Sequence, residues 1–484
     1  MAVAVAAPHA AAVDAAREAV AAGGNALDAV LAAAGALTVV YPHQCSIGGD
    51  LVAIVRPAGG EPRAVLSIGA AAAAADIDAL RAAGDAMPGE GPQTVTVPGV
   101  VAGWAAVAAL GARLPLTALL APAIRLARDG VPFSPGLRRA MSGRMAAIRA
   151  DPGLSALLLG AGDRLVQPAL ATTLATVAAD WRAFYETDLL VTGVRALGSP
   201  LSAADFAAHR AELADPLVRE AGGARWHAAP PPVQGPAFLA VVGAPDLLAA
   251  SREARLVRDA TLGDPRTGPP AAAGAAQPAG AAQPAGAAQP AGAAQPAGAA
   301  QPAGAARRDR PQPKGDTVAV TAVDDAGNAV TLIQSVFESF GAGLLDPATG
   351  VVLHNRGSSF RLEPDHPGRL HPGSRPPHTL CPTLALAGGT VVALGCQGGG
   401  NQPWILAQVA GDVLTAPDLD AVLARPRWIF DGPAVLAEPG LSLGGARVTA
   451  GPHDRAGHVQ VCRLAGGELA AGSDPRADGL GAIL

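Results

Sequence analysis

The chain has 484 residues, half of them hydrophobic but only 3% aromatic, so its core is large and built mostly from small side chains. A net charge of -5, with Lys314 as the only lysine, excludes the basic face that nucleic-acid binding requires. The length allows one large or two ordinary domains. Cys45, Cys381, Cys396 and Cys462 have no metal-ligand spacing and read as buried free thiols. No apolar run approaches the ~20 residues that span a bilayer, and no basic segment opens a signal peptide; the expectation is a cytoplasmic protein without a membrane partner.

From Pro8 to Val55 the residues predict two Ala-rich helices, a turn and a strand. Gly23-Gly24-Asn25 ends the first helix and caps the second. Ser46-Ile47-Gly48-Gly49-Asp50 is a tight glycine turn before the strand Leu51-Val55. His43 and Asp50 are open to a catalytic reading, but holding the turn suits them better. The run Gly69 to Ala75 reads as a poly-Ala helix. Helices follow from Val100 to Leu110 and from Leu116 to Asp129, and Leu201 to Phe206 begins a further, capped helix. Pro230-Pro231-Pro232-Val233-Gln234-Gly235 then leads into a helical run to Leu248, either as a rigid loop or as a lining of the substrate side.

Between 265 and 316 a disordered linker is expected. Its GAAQPA units place Gln at 277, 283, 289, 295 and 301, a proline in each unit breaks any helix, and no apolar face is present to bury. The stretch ends in Arg307, Arg308 and Arg310. Deleting Gly274 to Ala303 should leave soluble expression intact, because a doubling of loop length changes stability by only about 0.6 kcal/mol. Loss of soluble protein on deletion would show that the segment packs.

Lys314 to Gly341 reads as a β-hairpin. Val318 to Val323 form a strand buried on both faces, Asp325-Ala326-Gly327-Asn328 a turn, and Ala329 to Val336 the returning strand. Thr317 either merely begins this strand or, if the chain is cut before it, combines a nucleophilic hydroxyl with an α-amine of pKa near ~8 that can act as base. Ala393 to Asn401 reads as a strand ending in a glycine loop without the Lys-Ser/Thr of a phosphate loop. The remaining residues read as alternating strands and turns.

The Gly315-Asp316-Thr317 opening, VDDAGNAV, QSVFESFG, AAGGNALDA with VVYPH, and the TVTVPGVVAGW block resemble the γ-glutamyltranspeptidase family, N-terminal-nucleophile hydrolases that cleave themselves before a Thr. The resemblance extends over most of the chain. It implies an α+β, four-layer αββα fold, with a large subunit ordered over 1–264, the linker 265–316 and a small catalytic subunit 317–484, the two fragments staying associated. It also implies cleavage between Asp316 and Thr317, with Thr317 as nucleophile, Ser335 orienting it, and Gly398 and Gly399 binding the oxyanion. GVVLHNRGSSF and RPPHTLCPTLAL would place Arg356, Ser359, His378 and Thr379 on the substrate. The implied reaction transfers a γ-glutamyl or related acyl group to water or an amine, as in glutathione hydrolysis, without metal or cofactor.

Several positions depart from the family. Ala75 stands where many members have a carboxylate-binding Arg, and Arg356 and Ser359 where they have an amide and an acid. His378-Thr379 replaces two serines, and Phe337 a polar residue. The NRGSSF variant resembles a subgroup linked to acylases. Arg356 is then either a carboxylate clamp or a solvated surface residue. Two other readings follow: a glutaryl or cephalosporin-type acylase, and a non-catalytic descendant that binds an amino-acid-like ligand.

Overall fold

The computed structural model describes residues 1–160, 162–267 and 315–484, so the Gln-Pro repeat lies outside the described residues. Among them, two antiparallel sheets lie face to face. The first has the order Leu480–Ile483, Val3–Ala7, Gly315–Asp324, Ala329–Glu338, Asp50–Arg56, Arg63–Ser67 and Glu212–Ala214. The second runs Glu468–Ser473, Val459–Ala465, Thr390–Cys396, Thr383–Ala387, Ala224–Ala228 and Leu217–Ala221.

Small residues make the sheet-to-sheet contact. Ala4, Ala6, Ile54, Val323 and Ala329 of the first sheet meet Leu384, Val391, Ala393 and Cys462 of the second. Outside the first sheet lies the helix Ala26–Val40, buried along its whole length and packed with Val318, Val320, Val330 and Leu332. A helix buried all round must be apolar all round, and its Ala-Leu-Val composition meets that demand. Its start is fixed by a capping box. Asn25 Oδ1 accepts from the Leu27 N–H at 2.8 Å, and Asp28 Oδ2 accepts from the Asn25 N–H at 2.8 Å. Outside the second sheet lie Gly235–Val241, Gln402–Val413 and Leu419–Ala424, which pack Phe238, Ile405, Leu406 and Val422 onto Val392, Leu394 and Val461. The four layers are therefore helix, sheet, sheet, helix, as the resemblance implies.

Some local expectations need correction. The run Gly69 to Ala75 is not helical; it follows an extended and turned path, and the helix Ile77–Ala83 starts only after the Asp76 cap. Tertiary bonds override the helix propensity of alanine here. The Val97 N–H donates to Ala70 O, the Ala71 N–H to Ser374 O, and the Gly373 N–H to Ala71 O. At Gly69 the approach is so close that a Cβ would lie 1.5 Å from Val97 O. Two helices, Gln402–Val413 and Leu419–Ala424, stand where only strands and turns were expected, the first with Pro403 in its opening turn. The strand Val3–Ala7, paired on one side with Leu480–Ile483 and on the other with Gly315–Asp324, was also not foreseen.

The cysteines are all buried and unpaired, as expected, and burial pushes their thiols up, so they behave as small core residues. None of the described helices is long and apolar enough to cross a membrane.

Candidate active site

The hairpin Gly315–Asp324 and Ala329–Glu338 sits in the middle of the first sheet, with strand neighbours on both sides. Its pairing is regular from Ala329↔Val323 to Gln334↔Val318, then slips by a bulge and resumes at Phe337↔Asp316 and Glu338↔Gly315. A bulge places extra residues on one strand and re-aims their side chains. Here it brings the Ser335 hydroxyl to 3.0 Å from Thr317 Oγ1, both side chains buried. The Phe337 N–H also donates to Ser335 Oγ, at 2.8 Å. The segment ahead of the first sheet's Asp50 strand supports this irregular backbone: the Val336 N–H donates to Gln44 O, and a Cβ on Gly49 would lie 2.3 Å from Ser335 O. The glycine at 49 is therefore required by a close approach to the strand that carries Ser335.

The glycine loop follows the strand Thr390–Cys396 and turns through Gly398 at φ +151° and Gly399 at φ +53°. This turn packs against the strand carrying Thr317. Gln234 holds it from outside, its Nε2 donating to Gly399 O at 2.9 Å and also to Thr379 O. Arg258 Nη1 donates in turn to Gln234 Oε1 at 2.9 Å. The Pro-Pro-Pro-Val-Gln-Gly string thus ties the glycine turn to the loop bearing His378 and Thr379.

Arg356 is 1% exposed, which removes the surface reading. Its Nε donates to Ser359 Oγ at 3.2 Å and its Nη1 to Thr379 Oγ1 at 3.1 Å, while the guanidinium lies 3.5 Å above the centre of the Phe337 ring. Among the described residues it pairs with no carboxylate within salt-bridge distance. Burial pushes Arg356 down to about 9, with Asp50 and Glu338 pulling only partly the other way. Ser359 is committed as well, lying 2.9 Å from Arg356 O and 2.8 Å from Pro377 O.

His378 turns away from this group, toward Asp50. The Leu380 N–H donates to His378 Nδ1 at 3.4 Å, which puts the ring proton on Nε2, 3.3 Å from Asp50 Oδ2. Burial, and then the nearby Arg356 charge, pushes His378 down to about 4, so it is neutral near pH 7. His354 approaches the same oxygen from the other side, its Nδ1 at 3.4 Å, while its Nε2 lies 2.9 Å from Thr96 O. Asp50 is completely buried, and its other oxygen accepts from the Gly69 N–H at 3.0 Å. Burial alone would raise its carboxyl, but the charge of His354 and the contacts of both histidines hold it well below the usual range. Sequence reasoning assigned Asp50 to its turn and passed over His354. A lone Asp before a strand and a His within GVVLHN carry no spacing signal that they meet.

The structure therefore brings together Thr317 with Ser335, and Arg356 with Ser359, Thr379 and Phe337. It places Gly398 and Gly399 beside the Thr317 strand, and Ala75 on the wall of a small apolar cavity shared with Met87, Phe360 and Leu370.

Comparison with known proteins gives a consistent picture. The family model for gamma-glutamyltranspeptidase matches residues 12–484. The oxamate amidohydrolase proenzyme of Klebsiella pneumoniae is 34% identical, covering 95% of this chain and 94% of that protein. The glutathione hydrolase-like YwrD proenzyme of Bacillus subtilis is 30% identical, over 84% of this chain and 81% of its own. Among solved structures, a cephalosporin acylase from Bacillus halodurans superposes with a TM-score of 0.84 at 26% identity, covering 99% of this chain and 95% of that one.

Proposed function

Because the chain belongs to the γ-glutamyltranspeptidase family, we propose that it is a self-processing amide hydrolase whose nucleophile is Thr317 and whose acyl donor carries a carboxylate held by Arg356. In the precursor, Thr317 Oγ1 attacks the Asp316 carbonyl carbon, the peptide C–N bond breaks, and the Thr317 nitrogen takes the hydroxyl proton as it becomes an amine. Water then hydrolyses the ester, leaving an Asp316 carboxylate and a free Thr317. In the mature protein the α-amine accepts the Thr317 hydroxyl proton, and Oγ1 attacks the substrate amide carbonyl. The proton passes to the leaving amine, and water releases the acyl group as an acid. Ser335 holds Oγ1 in place, and the backbone N–H groups of Gly398 and Gly399 serve the developing oxyanion, the role that preorganised donors fill in acyl transfer.

The observation that carries the substrate assignment is the Arg356 environment. A buried guanidinium bonded only to hydroxyls, with no hydrogen bond from Nη2 among the described residues, is a charge awaiting an anion. Guanidinium stays protonated at working pH and matches a planar carboxylate in two-point contact. Ser359 is neutral and gives an α-ammonium no opposite charge, and the Asp50 carboxylate is enclosed by His354, His378 and the Gly69 backbone, which leaves Glu338 as the other acid acting on Arg356. Oxamate, the substrate in the Klebsiella relative's name, is a carboxylate joined to an amide with no amino group on its acyl carbon, which suits this arrangement.

The test is kcat/KM for a glutaryl anilide against the matched γ-glutamyl anilide, with oxamate alongside. We expect the γ-glutamyl compound to be at least about 100-fold poorer, since a buried unpaired charge costs several kcal/mol. A clear preference for the γ-glutamyl anilide would overturn the assignment and restore a glutathione-type specificity.

A further inference from the structure

We propose that Phe337 is a positioning residue for this carboxylate clamp, its ring acting as the platform that fixes the plane of the Arg356 guanidinium beside the nucleophile strand. The inference rests on the assignment of Arg356 to the acyl carboxylate. It starts from the backbone: Phe337 has φ +79°, a left-handed conformation that a bulky residue adopts only when its surroundings impose it. Glycine would occupy the site without that strain. A large aromatic here therefore needs a compensating contact, and the ring supplies one: it is 2% exposed, with the guanidinium carbon 3.5 Å from its centroid.

The position of the ring matters as much as the contact. Phe337 faces Asp316 across the hairpin, so it stands opposite the residue whose carbonyl precedes Thr317. Its N–H is held by Ser335 Oγ, the same oxygen that meets Thr317 Oγ1. One bulge thus places the nucleophile's partner and the floor of the clamp two residues apart on a single strand. Stacking fixes the guanidinium plane, while Ser359 and Thr379 fix its rotation in that plane through Nε and Nη1. Nη2 is left as the donor edge for the substrate.

The test uses the full-length, self-processed protein and reads the carboxylate preference, the ratio of kcat/KM for glutaryl anilide to that for the uncharged pentanoyl anilide. Phe337→Leu keeps apolar volume but removes the π-face, and should lower this preference about tenfold, chiefly through KM. Phe337→Tyr should keep it within about threefold. In an Arg356→Ala background, Phe337→Leu should change the preference by less than about twofold, because the ring would have nothing left to position. The platform is refuted if Phe337→Leu keeps the wild-type preference, or if its cost persists undiminished without Arg356. Should Phe337→Leu fail to fold or process, Phe337→Tyr decides, since loss of preference with the ring retained also refutes it. If Phe337→Leu is silent while Arg356→Ala is not, the platform alone falls; if Arg356→Ala leaves the preference intact, the clamp falls and the platform with it.

Discussion

Thr317→Ala is expected to remain a single uncut chain and to lose amide hydrolysis by about 10⁴-fold or more, the scale seen when a covalent nucleophile is removed. Wild type should separate under denaturing conditions into fragments ending at Asp316 and beginning at Thr317. The variant should still fold. Thr317 is buried in a strand hydrogen-bonded on both sides, and replacing its hydroxyl removes one contact to Ser335, worth about 1 kcal/mol. Loss of cleavage with retained cooperative unfolding therefore isolates chemistry from stability. Thr317→Ser, which keeps an oxygen at the same position, should restore cleavage at least in part. Denaturing mass spectrometry decides the matter: folded wild-type protein that stays intact through long incubation would remove Thr317 from the nucleophile role.

The hairpin carrying Thr317 was legible because its signals are local. Alternating small apolar residues, a turn with Gly327 at φ +88°, and a Thr after Gly-Asp all lie within one short stretch. The Asn25 cap was legible for the same reason. What sequence did not reveal depends on distant partners. The alanines from 70 to 75 favour a helix in isolation, but bonds to Val97, Gly373 and Ser374 extend them. The helix Gln402–Val413 follows directly on a glycine loop and carries proline in its first turn, so its start resembles a continued loop. The bulge at Ser335 was invisible as well, since nothing in Ala329 to Glu338 marks a slip and the contacts that hold it come from Gln44 and Gly49 in a distant segment. Arg356 shows the sharpest contrast. A lone arginine after Asn355 reads equally as solvated or functional, and only the Phe337 ring, Ser359 and Thr379, drawn in from separate segments, make it a buried cation.

That burial sets the second large effect. Arg356→Ala should raise KM for a carboxylate-bearing anilide about 30-fold or more, while kcat falls much less. Truncating one partner of a buried hydrogen-bonded charge pair costs about 2–5 kcal/mol, and each 1.4 kcal/mol is a factor of ten. The cost should fall on KM because the carboxylate lies away from the reacting carbonyl and is gripped alike in ground and transition states. Arg356→Lys should recover only part of the loss: an ammonium restores the charge, but it lacks the planar fork and stacks less well on Phe337. Self-cleavage is the internal control. It involves the Asp316–Thr317 bond, and denaturing mass spectrometry shows whether each variant has processed before its kinetics are read on mature protein. A fall in kcat alone, with KM unchanged, would place Arg356 in transition-state stabilisation instead. Unchanged kinetics on the glutaryl anilide would mean that the substrate carboxylate binds elsewhere, and that the buried guanidinium is held for the fold.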